Sequence, residues 1–466
     1  MIHKNIDAQD IAFLRQVCGS ENVLAGADIS DDYSHDEMTP ENLRSMPDVL
    51  VKAGSTAEVS KILQYANEKR IPVTPRGQGT GLVMGAVAIN HGIMLDLTRM
   101  NKILELDEEN MTLVVEPGVL IMEVRAFAEE HGLYYPPMPG EKSASIGGNV
   151  STNAGGMTAV KYGVTRDYVR GLEIVIPSGE IIELEGKIAK NSSGYSIKNL
   201  IIGSEGTLAV VTKIILKLVA LPKKTISLLV PFADPVAAIK TVPKIIKDKV
   251  LPVAVEFMDG DVIKMAEEYL GKKFPDHSAE AYLLLSFDGQ SKDQVTRDYD
   301  SVAQLCLASG AIDVFISDTQ ERQDAIWSAR GAFLEGIKAS TTEMDECDVV
   351  VPISKIAQFL EHKVDLEKNH GLRIRSFAHA GDGNLHVYIL KDAVDDATWK
   401  RSLDSIMQSL YEKARELGGQ VSGEHGIGFM KKAYLQESAG PAAIALMRGI
   451  KKAFDPNNIL NPGKVI

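Results

Sequence analysis

Arg76-Gly-Gln-Gly-Thr-Gly81 decides how this chain of 466 residues is read. It follows Ile71-Pro-Val-Thr-Pro75, a strand-like run, so a β-element feeds a loop of alternating glycines whose backbone N–H groups suit phosphate oxygens. The glycines fall at every second position, and Leu82-Val-Met-Gly-Ala-Val-Ala-Ile89 reads as loop and strand. A Rossmann fingerprint needs a helix there, so this loop is not one. Upstream, Asp28–Asp36 is an acidic loop, Asp48–Lys52 a strand, and Ser55–Glu68 an amphipathic helix capped by Ser55 or Thr56. Downstream, the strand Thr112–Val115 and the helix Ile121–Glu130 lead into a second small-residue segment, Pro136-Pro-Met-Pro-Gly140 and Ser145-Ile-Gly-Gly-Asn-Val-Ser-Thr-Asn-Ala-Gly-Gly156. A third, Ile202-Gly-Ser-Glu-Gly-Thr-Leu208, opens into the β-rich run Ala209–Leu218. Small residues are this dense where a backbone approaches something closely. Three such loops beside β-structure point to one extended ligand, and a dinucleotide is the natural candidate.

The second half carries a different chemistry. His379-Ala-Gly-Asp-Gly-Asn-Leu-His386 sets two histidines an odd number of positions apart, so a plain strand would aim them at opposite faces. A bend or bulge at Gly381-Asp382-Gly383 brings both rings to one side. Ser422-Gly-Glu-His-Gly426 offers Glu424 as a third ligand, with His425 beside it. Two histidines and a carboxylate leave coordination positions open for substrate and suit zinc, ferrous iron or manganese. Read alone, either stretch is an ordinary polar turn; together they are a candidate metal centre.

Composition sets the outer bounds. The 45% hydrophobic and 24% charged content supports two to three globular domains. A net charge of -13 argues against nucleic acid as partner. Cys18, Cys306 and Cys347 are far apart, which excludes a disulfide framework and iron–sulfur ligation. The N-terminal residues lack an apolar signal core, and Leu208–Leu221, the most apolar stretch, is too short to span a bilayer. The expected location is cytoplasmic.

The expected fold class is α+β. Residues 1–221 read as a ligand-binding domain, and 222–420 as a cap domain with a largely antiparallel sheet, its strands near Ser227–Pro231, Ala281–Phe287, Asp313–Ile316, Val349–Val351 and Arg375–His379. Residues 421–466 form a segment returning to the first domain, with a Pro/Asn/Gly tail after Phe454. Arg330 lies in a helical pattern, where a lone arginine is usually a surface residue. Trp327 and Trp399 read as core, and His35, His277, His362 and His370 as solvated.

These motifs, in this order along nearly the whole chain and closed by Asn461-Pro-Gly-Lys464, resemble the FAD-linked 2-hydroxy-acid dehydrogenases: the glycolate oxidase FAD subunit, D-lactate dehydrogenase and D-2-hydroxyglutarate dehydrogenase. The resemblance implies a vanillyl-alcohol-oxidase-type FAD domain of two α+β subdomains with a cap. It places FAD on Arg76, Gly77, Gln78, Gly79, Thr80, Gly81, Pro139, Ser145, Gly148, Asn149, Thr152 and Asn153, with Gly206, Val210 and Asn461 completing the site. Leu82-Val-Met84 stands where some relatives carry an attaching histidine, so FAD is expected to be non-covalent. The metal maps to His379, His386 and Glu424, the base to His425, and the substrate-carboxylate grip to Arg330. The implied reaction is oxidation of a small 2-hydroxy acid, lactate first, by hydride transfer to flavin. Electrons then pass to a protein acceptor such as an electron-transferring flavoprotein. The alternatives are a glycolate or 2-hydroxyglutarate dehydrogenase using quinone, another flavoenzyme chemistry on this fold, a non-catalytic flavin shuttle subunit, and a metallohydrolase that would leave the glycine loops unexplained.

Overall fold

A computed structural model of the chain describes residues 3–248, 250–276 and 279–466; His277 lies outside them. The chain divides into two compact units. The first comprises Met1–Ala154, Val164–Leu221 and Glu424–Ile466; the second comprises Gly155–Gly163 and Pro222–Gly423.

The first unit holds two sheets. One has four strands in the order Val23–Ala25, Val49–Lys52, Ile93–Asp96, Val73–Arg76, the last three parallel. Helix Thr56–Lys69 covers it because Val59, Ile62, Leu63 and Ala66 recur at helical spacing and are all fully buried. Ser55 caps that helix by accepting the Glu58 N–H. The other sheet is antiparallel, in the order Ile103–Asp107, Thr112–Val115, Val210–Lys217, Val169–Val175, Ile181–Glu185. The Pro/Asn/Gly tail is non-helical, as its turn residues require, and Leu460 bridges to Val73 of the first sheet.

The second unit is built on one antiparallel sheet of seven strands: Phe315–Ser317, Lys224–Phe232, Ala281–Gly289, Ala254–Asp259, Ile374–His379, Asn384–Leu390, Met344–Val350. One face packs Met258, Tyr282, Leu284, Phe377 and Tyr388 against the helices Gly260–Leu270, Gln320–Gly331 and Phe333–Ala339. Edge-to-middle pairing buries whole strands: every residue of Asn384–Leu390 is buried. Its register therefore decides which side chains meet.

Candidate active site

In the first unit the glycine loops converge. A Cβ on Gly77 would lie 2.2 Å from Ser145 Oγ, so the first and second loops touch and only glycine fits there. Ser145 caps the short helix Ile146–Thr152 by accepting the Gly148 N–H; the small-residue segment is therefore a helical turn rather than an open loop. Asn461 donates through Nδ2 to Gly85 O at 2.9 Å and Glu205 O at 2.8 Å, drawing the tail to the first and third loops. A Cβ on Gly206 would lie 3.3 Å from Pro75 Cγ, and Val210 begins a central strand, buried. Thr152 Oγ1 bonds back to Gly148 O, and Asn153 adopts a left-handed conformation and accepts the Arg166 N–H. Gln78 is exposed, while Gly79, Thr80, Gly81 and Pro139 are half-buried in irregular chain.

Arg76 has another occupation here. Its guanidinium is buried and donates to the carbonyls of Asp32, His35 and Ala86. The side chain thus shapes the acidic loop Asp28–Asp36, which it folds into short 3-10 turns. One polar atom does ask for a ligand: Asn149 Nδ2 is buried and meets no hydrogen-bond partner among the described residues. A buried, unsatisfied amide is costly unless something accepts from it, which fits a bound FAD oxygen.

Sequence reading missed Glu205. Buried, it accepts the N–H groups of Ile427 at 2.8 Å and Gly428 at 2.7 Å, and so grips the turn that follows His425. Burial raises its pKa, against those two bonds and the nearby Lys464 and Lys431. Lys464 is buried as well, donating to Gly85 O, Val87 O and Asn461 Oδ1. Burial brings its pKa down to about 7.

In the second unit, His379 and His386 lie on the two arms of a hairpin. Phe377 pairs with His386 and His379 with Asn384. Residues directly opposite share a face, as do alternate residues on one strand. Both rings therefore project to one side, 5.3 Å apart between centroids. The expected bend is a tight turn that reverses the chain, with Gly383 at φ +92°.

Each histidine is held by a carboxylate. His379 Nδ1 lies 2.7 Å from Glu256 Oε1, and His386 Nδ1 lies 3.0 Å from Glu346 Oε1. A ring held through Nδ1 ligates only through Nε2, and carboxylate–histidine pairs of this kind orient and strengthen metal ligands. The donor set thus fits a divalent metal. Burial opposes the charge on Glu256, but His379 and Arg330 outweigh it and hold its pKa below the ordinary glutamate value. Burial and the adjoining Glu346 push Tyr388 well up.

Arg330 is no surface residue. It is 7% exposed, stacks on Phe377 at 4.4 Å, and gives Nε and Nη2 to Glu256 Oε2 at 2.8 and 2.6 Å. That occupies the Nε edge of the guanidinium. The opposite edge, between Nη1 and Nη2, carries the remaining donors of the guanidinium. Asp348, fully buried, accepts from Asn384 Nδ2, Ser422 Oγ and the Gly423 N–H, so it ties the two chemistry-bearing stretches together. Glu424 and His425 are the next residues in the chain and belong to the first unit.

Glu256, Glu346 and Asp348 were also missed from sequence. Their signal was present: a lone Glu in the apolar run Ala254–Met258, and acids at alternate positions 346 and 348. Of the histidines read as solvated, His362 is half-buried and bonded to Ser409, and burial lowers its pKa. Trp399 is buried; Trp327 is partly buried against the same core as Phe377.

The geometry defines a flavin-binding fold joined to a histidine–carboxylate sheet, and comparison with known proteins agrees. The description "FAD binding domain" matches residues 47–185, and "FAD linked oxidases, C-terminal domain" matches residues 221–465. The chain is 48% identical to D-lactate dehydrogenase of Anaerostipes hadrus, over 96% of this chain and 94% of that one. It is 40% identical to glycolate oxidase subunit GlcD of Bacillus subtilis, over 100% and 97%. It is 32% identical to D-2-hydroxyglutarate dehydrogenase of Stutzerimonas stutzeri, over 95% and 96%. The fold matches p-cresol methylhydroxylase with a TM-score of 0.79 at 18% identity, covering 100% of this chain and 98% of that structure. The fold is therefore of the vanillyl-alcohol-oxidase type. The chain belongs to the FAD-linked oxidase family and is an FAD-dependent oxidoreductase acting on 2-hydroxy acids. Among the described residues, no helix is long and apolar enough to cross a membrane.

Proposed function

We propose that the protein oxidises D-lactate to pyruvate with non-covalent FAD and a divalent metal, in the cytoplasm. The observation that carries this reading is the buried Arg330 on the same sheet face as two carboxylate-held histidines. An α-hydroxy acid presents a carboxylate and a hydroxyl one carbon apart, and this face offers a cation for the first and metal ligands for the second. His379 and His386 would hold the metal, with Glu424 as third ligand, and zinc, ferrous iron and manganese all suit this donor set. When bound, FAD supplies the acceptor for the α-hydride, and the metal supplies Lewis acidity toward the hydroxyl. Arg330 binds the carboxylate through its Nη1–Nη2 edge and so selects the face of the α-carbon. His425 accepts the hydroxyl proton as general base. Loss of that proton and the hydride converts lactate to pyruvate. Of the 2-hydroxy acids its relatives are named for, lactate belongs to the one at 48% identity.

Cys18, Cys306 and Cys347 are each buried and form no disulfide. The acceptor we propose is another protein, such as an electron-transferring flavoprotein. The test is anaerobic bleaching of the flavin by D-lactate, L-lactate, glycolate and D-2-hydroxyglutarate in turn. D-lactate should bleach fastest, and chelation or His425→Ala should abolish the effect. Faster bleaching by another acid would reassign the substrate; bleaching untouched by chelation would remove the metal. Flavin-to-flavin transfer on adding an electron-transferring flavoprotein checks the acceptor, and rapid reduction of quinone alone would overturn it.

A further inference from the structure

Glu256 stands on a central strand of the seven-stranded sheet with no exposed surface. It spends one oxygen on each of two functional groups: Oε1 on His379 Nδ1, and Oε2 on Arg330 Nε and Nη2. Two bonds to the planar guanidinium edge fix the position of that carboxylate. Arg330 is itself fixed by stacking on Phe377, with Phe333 also against it at 5.4 Å. The orientation of the His379 ring is therefore set, through one carboxylate, by the arginine. His386 is supported differently. Its partner Glu346 lies on the edge strand Met344–Val350, at 3.0 Å.

We propose that Glu256 is a positioning residue shared by the metal site and the substrate-carboxylate site, whereas Glu346 supports His386 and makes neither of the Arg330 bonds. The assignment rests on the metal reading of His379 and His386. Its physical content is that one substitution disturbs two separable quantities. Loss of a carboxylate behind a metal-ligating histidine typically weakens metal binding by about 10–100-fold. Loss of the Glu256 charge also weakens both bonds to the Nε edge of Arg330, which go to the single oxygen Oε2, so the guanidinium is held less firmly and its substrate-facing edge is misplaced.

The experiment compares Glu256→Gln and Glu346→Gln in the FAD-loaded, full-length protein. Zinc affinity is read by competition with a chromophoric chelator, without turnover. KM for D-lactate is then read at saturating zinc. Glu256→Gln should weaken zinc by at least about tenfold and also raise KM; Glu346→Gln should weaken zinc and leave KM unchanged. Wild-type zinc affinity in Glu256→Gln, or an equal rise in KM in both variants, overturns the proposal. A wild-type protein that takes up no zinc, iron or manganese overturns the metal reading itself. If Glu256→Gln loses FAD through misfolding, Glu256→Asp decides. It keeps the charge but withdraws the carboxylate by one methylene, too short to serve both partners, so at least one defect must persist. Full restoration of both quantities would show that only buried charge was needed, and would refute the positioning role.

Discussion

Asp348 accepts three donors with one carboxylate: Asn384 Nδ2 at 2.7 Å, Ser422 Oγ at 2.7 Å, and the Gly423 N–H at 3.1 and 3.2 Å from its two oxygens. Replacing it by Asn keeps the shape, removes the charge and turns one acceptor into a donor. Ser422 can rotate its hydroxyl to accept from the new amide, so the carbonyl oxygen will face Asn384 and Gly423. A hydrogen bond to a charged group contributes about 1.5–3 kcal/mol and a neutral one about 0.5–1.5 kcal/mol. The Gly423 bond should therefore weaken by roughly 1–1.5 kcal/mol, which is on the order of a tenfold rise in opening. Amide hydrogen exchange reads this directly, in a peptide spanning residues 420–424. Asp348→Asn should exchange there on the order of ten times faster than wild type. Asp348→Ala should be worse, because it strands buried donors at about 1–3 kcal/mol each. Unchanged exchange in Asp348→Asn would refute the idea that Asp348 tethers this turn.

Three further outcomes are expected. Glu205→Ala should leave the Ile427 and Gly428 N–H groups without their acceptor, loosening the turn after His425; flavin reduction by D-lactate should slow at least tenfold while KM changes little. An unchanged rate would detach Glu205 from the base. Gly383→Ala places a Cβ 2.1 Å from Val351 O at a φ of +92°, so about 2–4 kcal/mol of strain and overpacking should appear as lower thermal stability and lost metal. A wild-type melting temperature would contradict that. Lys464, with its pKa brought by burial from 10.5 to about 7, binds fewer protons folded than unfolded between those values. Stability from this group is complete above the unfolded pKa and is lost as pH falls through about 7. The full window is worth on the order of 5 kcal/mol. Denaturant unfolding should show stability rising from pH 7 to 9, and Lys464→Met should flatten the rise; parallel slopes in the two proteins would exclude the effect.

Much of this was legible along the chain. An apolar run and helical spacing located Thr112–Val115 and Ile121–Glu130 at their observed bounds, because those signals are local. Glycine density marked the loops because a Cβ at Gly77 has no room against Ser145. The strand Met344–Val350 was read too short, since Asp345, Glu346 and Asp348 break its apolar run. Helix Ile146–Thr152 was not foreseen, because glycines and asparagine lower helix propensity and only the Ser145 cap and tertiary packing hold it. Arg330, placed on a helix by its spacing, gave no local sign of burial.

By itself the sequence supplied the chemical groups: two histidines, the Glu424-His425 pair, and glycine loops suited to a dinucleotide, while only the resemblance singled out Arg330. Residue type and short-range spacing carry that information, because they fix what an atom can do and which local conformations it allows. Tertiary structure decided which of these groups meet. Glu256 is 123 positions from His379 and Glu346 is 40 from His386, and only strand register brings each acid to its ring. A one-residue slip would turn every one of these side chains to the opposite face. Sequence distance carries no trace of that pairing, which the burial of whole strands enforces.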